Sequence, residues 1–443
     1  MKTLYPAQAT ALDRFAAVQR AGDRATLDSS MVGTGKTVVA CHLALALGKQ
    51  VAVVCPKAVI PSWERELKAS GIEPLFVLNY EKIRTGRTKW LTKAFKKVFR
   101  WQLPADALLI FDEVHKCKGP FTQNAQLLVS AVQAGLHVHM LSATACQDPT
   151  EMRAIGYALG LHSLNNAVHP LRSWQSWLYT VGCSKDIWGS WYLKDRTVLN
   201  GLNKTIYGPA GCGYRLSVKD FPDSFKQNLV SVLPVAGTKK ISAAYKGFSE
   251  TDLVDWIVDD IVPQDDDEEI FIVKLLRARQ AAELEKVDPI VALAEDYLEQ
   301  GMSVAIFMNF RESANAIASK LHCGVIQGGQ SADQRQDLID NFQDGRTNAL
   351  VVNIEAGGTG LSLHHCKPGA AQRVSLISPT FNAKSHIQVL GRTHRNGALT
   401  DSIQYVVVGA DTVEEAVVQA LDRKCQLMAT LHGIEYQKLN QDD

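Results

Sequence analysis

Short apolar runs separated by helix-length amphipathic segments constrain this chain most. Val51 to Cys55, Leu75 to Leu78, Leu108 to Phe111 and Val138 to Leu141 are too brief for helices and carry no alternating polar face. They are expected as buried parallel strands. Amphipathic Thr37 to Gly48 and Ile60 to Ser70 fall between strand positions, and the pattern returns at Val304 to Phe307, Ala349 to Val352 and Val374 to Ile377. Alternating strand and helix implies α/β doubly wound sheets. A chain of 443 residues exceeds the ~250–300 residues at which one core stops growing, so two lobes are expected. From about Gly156 to Ala282 the alternation lapses, with Trp174, Trp177, Trp188 and Trp191 crowded together and Pro222, Pro234 and Pro263 expected as breaks. Lobe 1 is therefore assigned to 1–230, with an inserted Trp-rich subdomain at about 156–225. Lobe 2 takes 231–443, with a helical protrusion or linker at about 236–285.

Hydrophobic residues make up 46% and charged residues 21%, the composition of a folded soluble protein, so disorder is not the expectation. Net charge is +1, so any surface for a polyanion must come from local clustering. Nine cysteines without a Cys-x-x-Cys pair argue against structural zinc and for reduced thiols. Met1 to Pro6 lacks a signal-peptide pattern and no apolar run is long enough to cross a bilayer. A soluble cytoplasmic protein is expected, with no membrane partner. No solenoid-period repeat is found, and Asp265 to Glu269 reads as a solvated acidic surface or loop.

Val32-Gly33-Thr34-Gly35-Lys36-Thr37 is the sharpest chemical signal. Glycines let backbone N–H groups turn toward phosphates, Lys36 reaches β and γ oxygens, and Thr37 can ligate magnesium. Ser30 stands where the full P-loop pattern has glycine. Asp112-Glu113-Val114-His115 follows the apolar Leu108 to Phe111, which places two carboxylates at the carboxyl end of a buried strand, where such sheets bind ligands. Asp112 would hold magnesium and Glu113 would polarise the attacking water at the γ-phosphate. In Gln388 to Arg395, Arg392 and Arg395 are spaced i and i+3, so one helix face is expected to carry both as arginine fingers.

With these motifs in order from Tyr5 to Gly397, the chain resembles the superfamily-two helicases and translocases, and more closely their Swi/Snf-like branch. Tyr5-Pro6-Ala7-Gln8 resembles the adenine-reading element. Val53 to Lys57 with Trp63 and Glu64 resembles motif Ia, and Asn79-Tyr80-Glu81 matches the branch. Leu141-Ser142-Ala143-Thr144 resembles motif III, Ala356 to Leu361 motif V, and Gln388 to Arg395 motif VI. Gly182-Cys183, Trp188-Gly189, Tyr192 and Tyr214-Arg215-Leu216 are similar to the annealing helicases, and the compact length resembles phage branch-migration helicases. Two departures stand out: motif III reads Ser-Ala-Thr where the branch has Gly-Thr, and Val114 replaces the usual Ala.

The resemblance implies two RecA-like P-loop lobes with parallel sheets and a mainly helical insertion between motif III and the second lobe. It implies ATP and Mg2+ as cofactors, with Gln8, Gly33, Thr34, Gly35, Lys36, Thr37, Asp112 and Gly360 around the nucleotide and Thr37 and Asp112 on the metal. Catalysis falls to Lys36, Asp112, Glu113, Gln388, Arg392 and Arg395, and coupling to His115, Ser142 and Thr144. Backbone tracking on DNA falls to Pro56, Lys57, Tyr80, Asn309, Arg311, Gly328, Gly329, Gly358 and Thr359. The expected activity is a monomeric ATP-dependent translocase acting on duplex, forked or branched DNA, largely without sequence preference, in a bacterial or phage-infected cell. An RNA helicase and a nucleotide-gated scaffold are the alternatives, the latter disfavoured by Glu113 and the two arginines.

Three features stay outside these motifs. Lys89, Lys93, Lys96, Lys97 and Arg100 interleave with Trp90, Phe95, Phe99 and Trp101, as either a DNA contact or an amphipathic surface helix. The tryptophans at 174–191 either pack a subdomain or form a stacking platform. His364-His365-Cys366 has no matching ligand pair and is not expected to bind metal.

Overall fold

The computed structural model describes residues 2–22, 25–93, 99–165, 171–187, 189–221, 224–236, 238–259, 268–357 and 361–432. The chain divides into two compact units, built on Met1–Phe221 and Pro222–Gln426. The boundary precedes the expected break at 230 because the strand beginning at Asn228 pairs into the second sheet.

The first unit contains β1 (Ala25–Asp28), β2 (Gln50–Cys55), β3 (Phe76–Asn79), β4 (Arg87–Thr88), β5 (Leu91–Lys93), β6 (Phe99–Trp101), β7 (Ala107–Asp112), β8 (His137–Leu141), β9 (Cys183–Lys185), β10 (Trp191–Leu193) and β11 (Gly213–Tyr214). Its main sheet runs β11-β1-β8-β7-β2-β3, every neighbouring pair parallel. Val51 to Cys55, Leu108 to Phe111 and Val138 are fully buried, as uniformly apolar strands with helices on both faces must be. β1 escaped the apolar-run criterion because it carries Thr26 and Asp28. Thr26 is accommodated by a polar network: Gln19 Nε2 donates to its Oγ1 at 3.1 Å, and that hydroxyl lies 2.8 Å from His139 Nδ1.

His139 is fully buried and its Nε2 has no partner, so burial holds its pKa down at about 3. The unfolded chain takes this proton near pH 6.5 while the folded chain refuses it until about pH 3. Stability is therefore lost as pH falls from 6.5, by up to about 1.4 kcal/mol per pH unit. His139→Gln should flatten the decline of melting temperature between pH 7 and pH 5. Parallel curves for variant and parent would count against this account.

Trp174 and Trp177 are buried and stacked at 5.5 Å between ring centroids, with the His162 ring 4.8 and 5.1 Å away. They join the first unit's main hydrophobic core with Leu178, Leu199, Leu202 and Ile206. Packing, rather than a stacking platform, explains these two indoles; Trp188 lies outside the described residues. Among its described residues the basic aromatic stretch is strand rather than helix: β4, β5 and β6 form a three-stranded antiparallel sheet, in which Phe99 and Trp101 alternate with Arg100.

The second unit contains β12 (Asn228–Val235), β13 (Ser303–Met308), β14 (Gly324–Ile326), β15 (Ala349–Asn353), β16 (Arg373–Ile377) and β17 (Ser402–Gly409). They form one parallel sheet in the order β12-β17-β16-β13-β15-β14. Pro234 lies inside β12 and does not break it, since β12 is an edge strand, where a missing N–H is tolerated. Pro222 and Pro263 lie outside the described residues. Helices Thr238–Ala244, Glu250–Asp259, Glu268–Glu285 and Val287–Glu299 separate β12 from β13. Glu268 and Glu269 occupy the first turn of the third of these, where carboxylates favour the helix dipole.

Candidate active site

β1 delivers the chain into the phosphate cradle, and the helix Lys36–Leu47 leaves it. Gly33 and Gly35 take φ of +83° and +87°, conformations that favour glycine. A Cβ at Gly35 would also lie 2.5 Å from Gln8 Nε2. Lys36 Nζ donates to the carbonyls of Ser30 and Met31 at 2.7 and 2.9 Å, which holds its ammonium inside the turn. Ser30 substitutes for glycine by being tied on both sides. Its N–H donates to Asp28 Oδ1 at 2.9 Å, and its Oγ accepts from the Leu216 N–H at 2.9 Å. The Ser29 and Met31 N–H groups donate to the carbonyls of Tyr214 and Leu216, so β11 and its extension brace the cradle edge. Asp28 is fully buried, and burial raises its pKa against the opposing pull of Lys36. Sequence reasoning missed Asp28; an acid at the end of the strand entering the glycine turn was the available signal.

Gln8 is buried against this turn. Its Nε2 donates to the Thr34 carbonyl at 2.8 Å and its Oε1 accepts from the Tyr5 N–H at 3.0 Å. One hydrogen and one lone pair of the amide remain for a purine edge.

At the carboxyl end of β7, Asp112 Oδ2 accepts from Trp63 Nε1 at 2.8 Å and Oδ1 accepts from the Glu113 N–H at 2.9 Å. Burial, then the Glu113 charge, pushes its pKa up to about 7, while Trp63 and Lys36 favour the carboxylate. Glu113 sits at φ 54°, ψ 52°, a left-handed conformation uncommon for a non-glycine residue and concentrated at functional sites. Its Oε2 lies 3.1 Å from His115 Nδ1, which is 3.1 Å from Ser142 Oγ, and that oxygen accepts from the Thr144 N–H at 3.2 Å. The Ser142 N–H donates to the Asp28 carbonyl at 3.1 Å. Glu113 and Ser142 therefore converge on the same nitrogen of His115, Ser142 continues to Thr144, and Asp28 joins this cluster to the cradle.

In the second unit, the helix Ala383–Thr393 carries Gln388 and Arg392. Arg392 is buried and donates to the Leu361 carbonyl at 3.3 Å. Arg395 lies two residues past the helix end and donates from Nε to the Gly391 carbonyl at 3.0 Å. The shared helix face expected from i,i+3 spacing is therefore not formed: at His394 the backbone turns extended, φ −96°, ψ 103°. Gly358, Thr359 and Gly360 lie outside the described residues.

Residues 285–397 match the family described as the helicase conserved C-terminal domain. A protein of Acanthamoeba polyphaga mimivirus named as an ATP-dependent RNA helicase is 27% identical over 93% of this chain and 81% of its own length. The DNA repair and recombination protein RAD54 of Saccharomyces cerevisiae is 31% identical, over 23% of this chain and 11% of its own. The chain is thus similar to superfamily-two helicases, among them proteins of the Swi/Snf-like type, and these likenesses support an ATP-hydrolysing enzyme. The structure of S. cerevisiae Dbp5 bound to RNA and ADP BeF3 superposes with a TM-score of 0.54 over 96% of this chain and 88% of that one. At 14% identity it shows the fold alone, two RecA-like lobes.

Several track residues expected of such a helicase are committed elsewhere. Tyr80 is fully buried and its hydroxyl donates to the Asp112 carbonyl at 2.9 Å, so it supports motif II from beneath and cannot reach a nucleic acid. Pro56 is buried, whereas Lys57 is exposed at the start of a 3-10 turn. Asn309 has no free hydrogen-bonding group to offer a phosphate. Its Nδ2 donates to Glu283 Oε2 at 2.6 Å and to the Pro379 carbonyl at 3.0 Å, its N–H donates to Glu283, and its carbonyl accepts from Asn353. Arg311, Gly328 and Gly329 do come together: a Cβ at Gly328 would lie 2.6 Å from Arg311 Nη2, and Gly329 adopts φ +97°. Thr37 in the first helical turn and the Asp112 carboxylate are hard oxygen donors, and Asp112 lacks sufficient counter-charge, which fits Mg2+ held by few protein ligands alongside phosphate oxygens. Among the described residues no group of three or more His, Cys, Asp or Glu side chains is placed to hold a metal.

Proposed function

We propose that this protein is an ATP-driven translocase that tracks the phosphate backbone of DNA and remodels duplex or branched structures. The observation that carries the reading is the convergence of Glu113 and Ser142 on one nitrogen of His115, with Ser142 continuing to Thr144, which ties the water-activating carboxylate to the segment that senses the track. In this reading Gly33 to Thr37 and Gly360 hold the triphosphate and Gln8 reads the adenine. Thr37 and Asp112 bind Mg2+, Glu113 orients water, and Gln388, Arg392 and Arg395 face the γ-phosphate. Lys57, Arg311, Gly328, Gly329, Gly358 and Thr359 hold the strand, without reading bases. Hydrolysis shifts one grip relative to the other. Similarity to RAD54 supports DNA as the polymer; the name of the mimivirus relative favours RNA as the second reading.

The test is steady-state ATP hydrolysis at fixed salt with no polymer, single-stranded DNA, linear duplex, a four-way junction and structured RNA. Fixed salt matters because phosphate contacts make affinity steeply dependent on ionic strength. Stimulation by duplex or junction DNA is expected. Stimulation by RNA alone would replace DNA by RNA as the track, and a flat response to every polymer would remove the translocase reading.

A further inference from the structure

Residues 81–101 contain eight lysines and arginines against one acidic residue, Glu81, so this segment carries a formal +7 (8 − 1) in a chain of net charge +1. Beyond Glu81, none of its residues belongs to the motifs assigned to nucleotide or track. The strand pairings place Arg87 opposite Thr92 and Thr92 opposite Arg100, a single row across β4, β5 and β6. All three side chains are exposed. The next row, Thr88, Leu91 and Trp101, faces the other way, since side chains alternate along a strand. Leu91 and Phe99 are buried in the first unit's core, with Trp90 and Trp101 packed on it. Trp101 Nε1 anchors the sheet to the helix Gln123–Gln133, donating to Ser130 Oγ at 3.0 Å. Gly86, at φ +66° and with its Cβ position 2.4 Å from Lys93 Cβ, lets β4 fold onto β5 without a clash. Among the described residues no carboxylate pairs with Arg87, Lys89 or Arg100.

We infer that the Arg87, Thr92 and Arg100 face of this sheet is a second nucleic-acid contact, gripping phosphates outside the helicase motifs. This rests on the proposed tracking function. Neighbouring strands stand about 5 Å apart, so the two arginines bracket the Thr92 hydroxyl over about 10 Å, roughly three phosphate steps of 3.4 Å along one strand axis. Guanidinium forks and a hydroxyl are phosphate donors without base preference. The polymer is favoured over an acidic protein or a lipid surface because the exposed row is polar throughout, Arg87, Thr92 and Arg100, and among the described residues of this segment no large apolar side chain is exposed. A protein interface would need such a centre and a membrane would need an insertion.

The experiment measures duplex affinity of the full chain against salt by fluorescence anisotropy for the parent, Arg87→Gln/Arg100→Gln, Arg87→Lys/Arg100→Lys, and a control, Lys68→Gln/Lys204→Gln, which neutralises two exposed lysines elsewhere on the first unit. Each lost phosphate contact removes about 0.9 from the slope of log affinity against log salt, so the glutamine pair is expected to lose about 1.8. Its affinity at low salt should fall about tenfold or more. The lysine pair should keep most of the slope, the control all of it, and polymer-free ATPase should be unchanged throughout. An unchanged slope in the glutamine pair, or loss of binding only to polyglutamate or to phosphatidylserine vesicles, would overturn the contact while leaving the translocase reading intact. Failure of the parent itself to bind or respond to any nucleic acid would instead sink the proposed function.

Discussion

Glu113→Gln is expected to lower ATP hydrolysis by about 10²–10⁴-fold, the usual contribution of a positioned general base, while ATP still binds. The side chains that would touch the phosphates, Lys36 and Thr37, are unaltered, and Asp112 keeps its bonds from Trp63 and from the residue 113 N–H. Glutamine preserves the size of the side chain in its left-handed backbone setting but cannot take a proton from water. It also weakens the contact with His115, so polymer stimulation should fall with the basal rate. Phosphate release with and without polymer, alongside titration with a fluorescent ATP analogue, separates turnover from binding. Hydrolysis within tenfold of the parent would remove Glu113 from the catalytic role, and loss of ATP binding would make it part of the cradle.

The second large effect concerns stability. Lys286 and Glu414 are both buried in the second unit, with Nζ 2.9 and 2.8 Å from the two carboxylate oxygens. Lys286 also donates to the Val407 carbonyl, and Glu414 accepts from the Gly409 N–H at 2.9 Å. The pair therefore joins the helices Val287–Glu299 and Val413–His432 through β17. Lys286→Met leaves a carboxylate buried without its cation, at a cost of about 3–5 kcal/mol. Lys286→Met/Glu414→Leu should recover much of that loss, since replacing both charges by apolar side chains is often near neutral. Hydrogen exchange of β16 and β17 in urea reads the second unit alone, which matters in a two-unit chain where global unfolding need not be two-state. A single variant as stable as the parent would show that the pair contributes nothing.

Legibility followed burial. Central parallel strands are apolar on both faces, so β2, β7, β8, β13, β15 and β16 could be seen as runs in the sequence. β1 could not, because Thr26 and Asp28 are satisfied by partners far along the chain. The glycine turn, the Asp112-Glu113 pair and the Ser142-Ala143-Thr144 segment were readable for a different reason. Their chemistry is local, with glycines at positive φ and carboxylates at a strand end. Several readings failed where a side chain's direction was assigned from its neighbours in sequence. Tyr80 follows a strand end but points into the core, Arg395 follows a helix that has already stopped, and the described part of the basic stretch is aligned by strand pairing that its sequence spacing does not show.

Residue type and order alone determined that this chain makes two α/β lobes with parallel sheets and a glycine turn beside paired acids in the first, because these features are dictated by local backbone and charge. Only tertiary structure decided which polar groups remain available for function. Ser30 replaces glycine because Asp28 and Leu216 meet it, Asn309 is spent on Glu283 and Asn353, and Arg87 aligns with Arg100 across a third strand. A hydrogen bond or a cross-strand row depends on distance in space, and residues far apart in the chain carry no local sign of their partner.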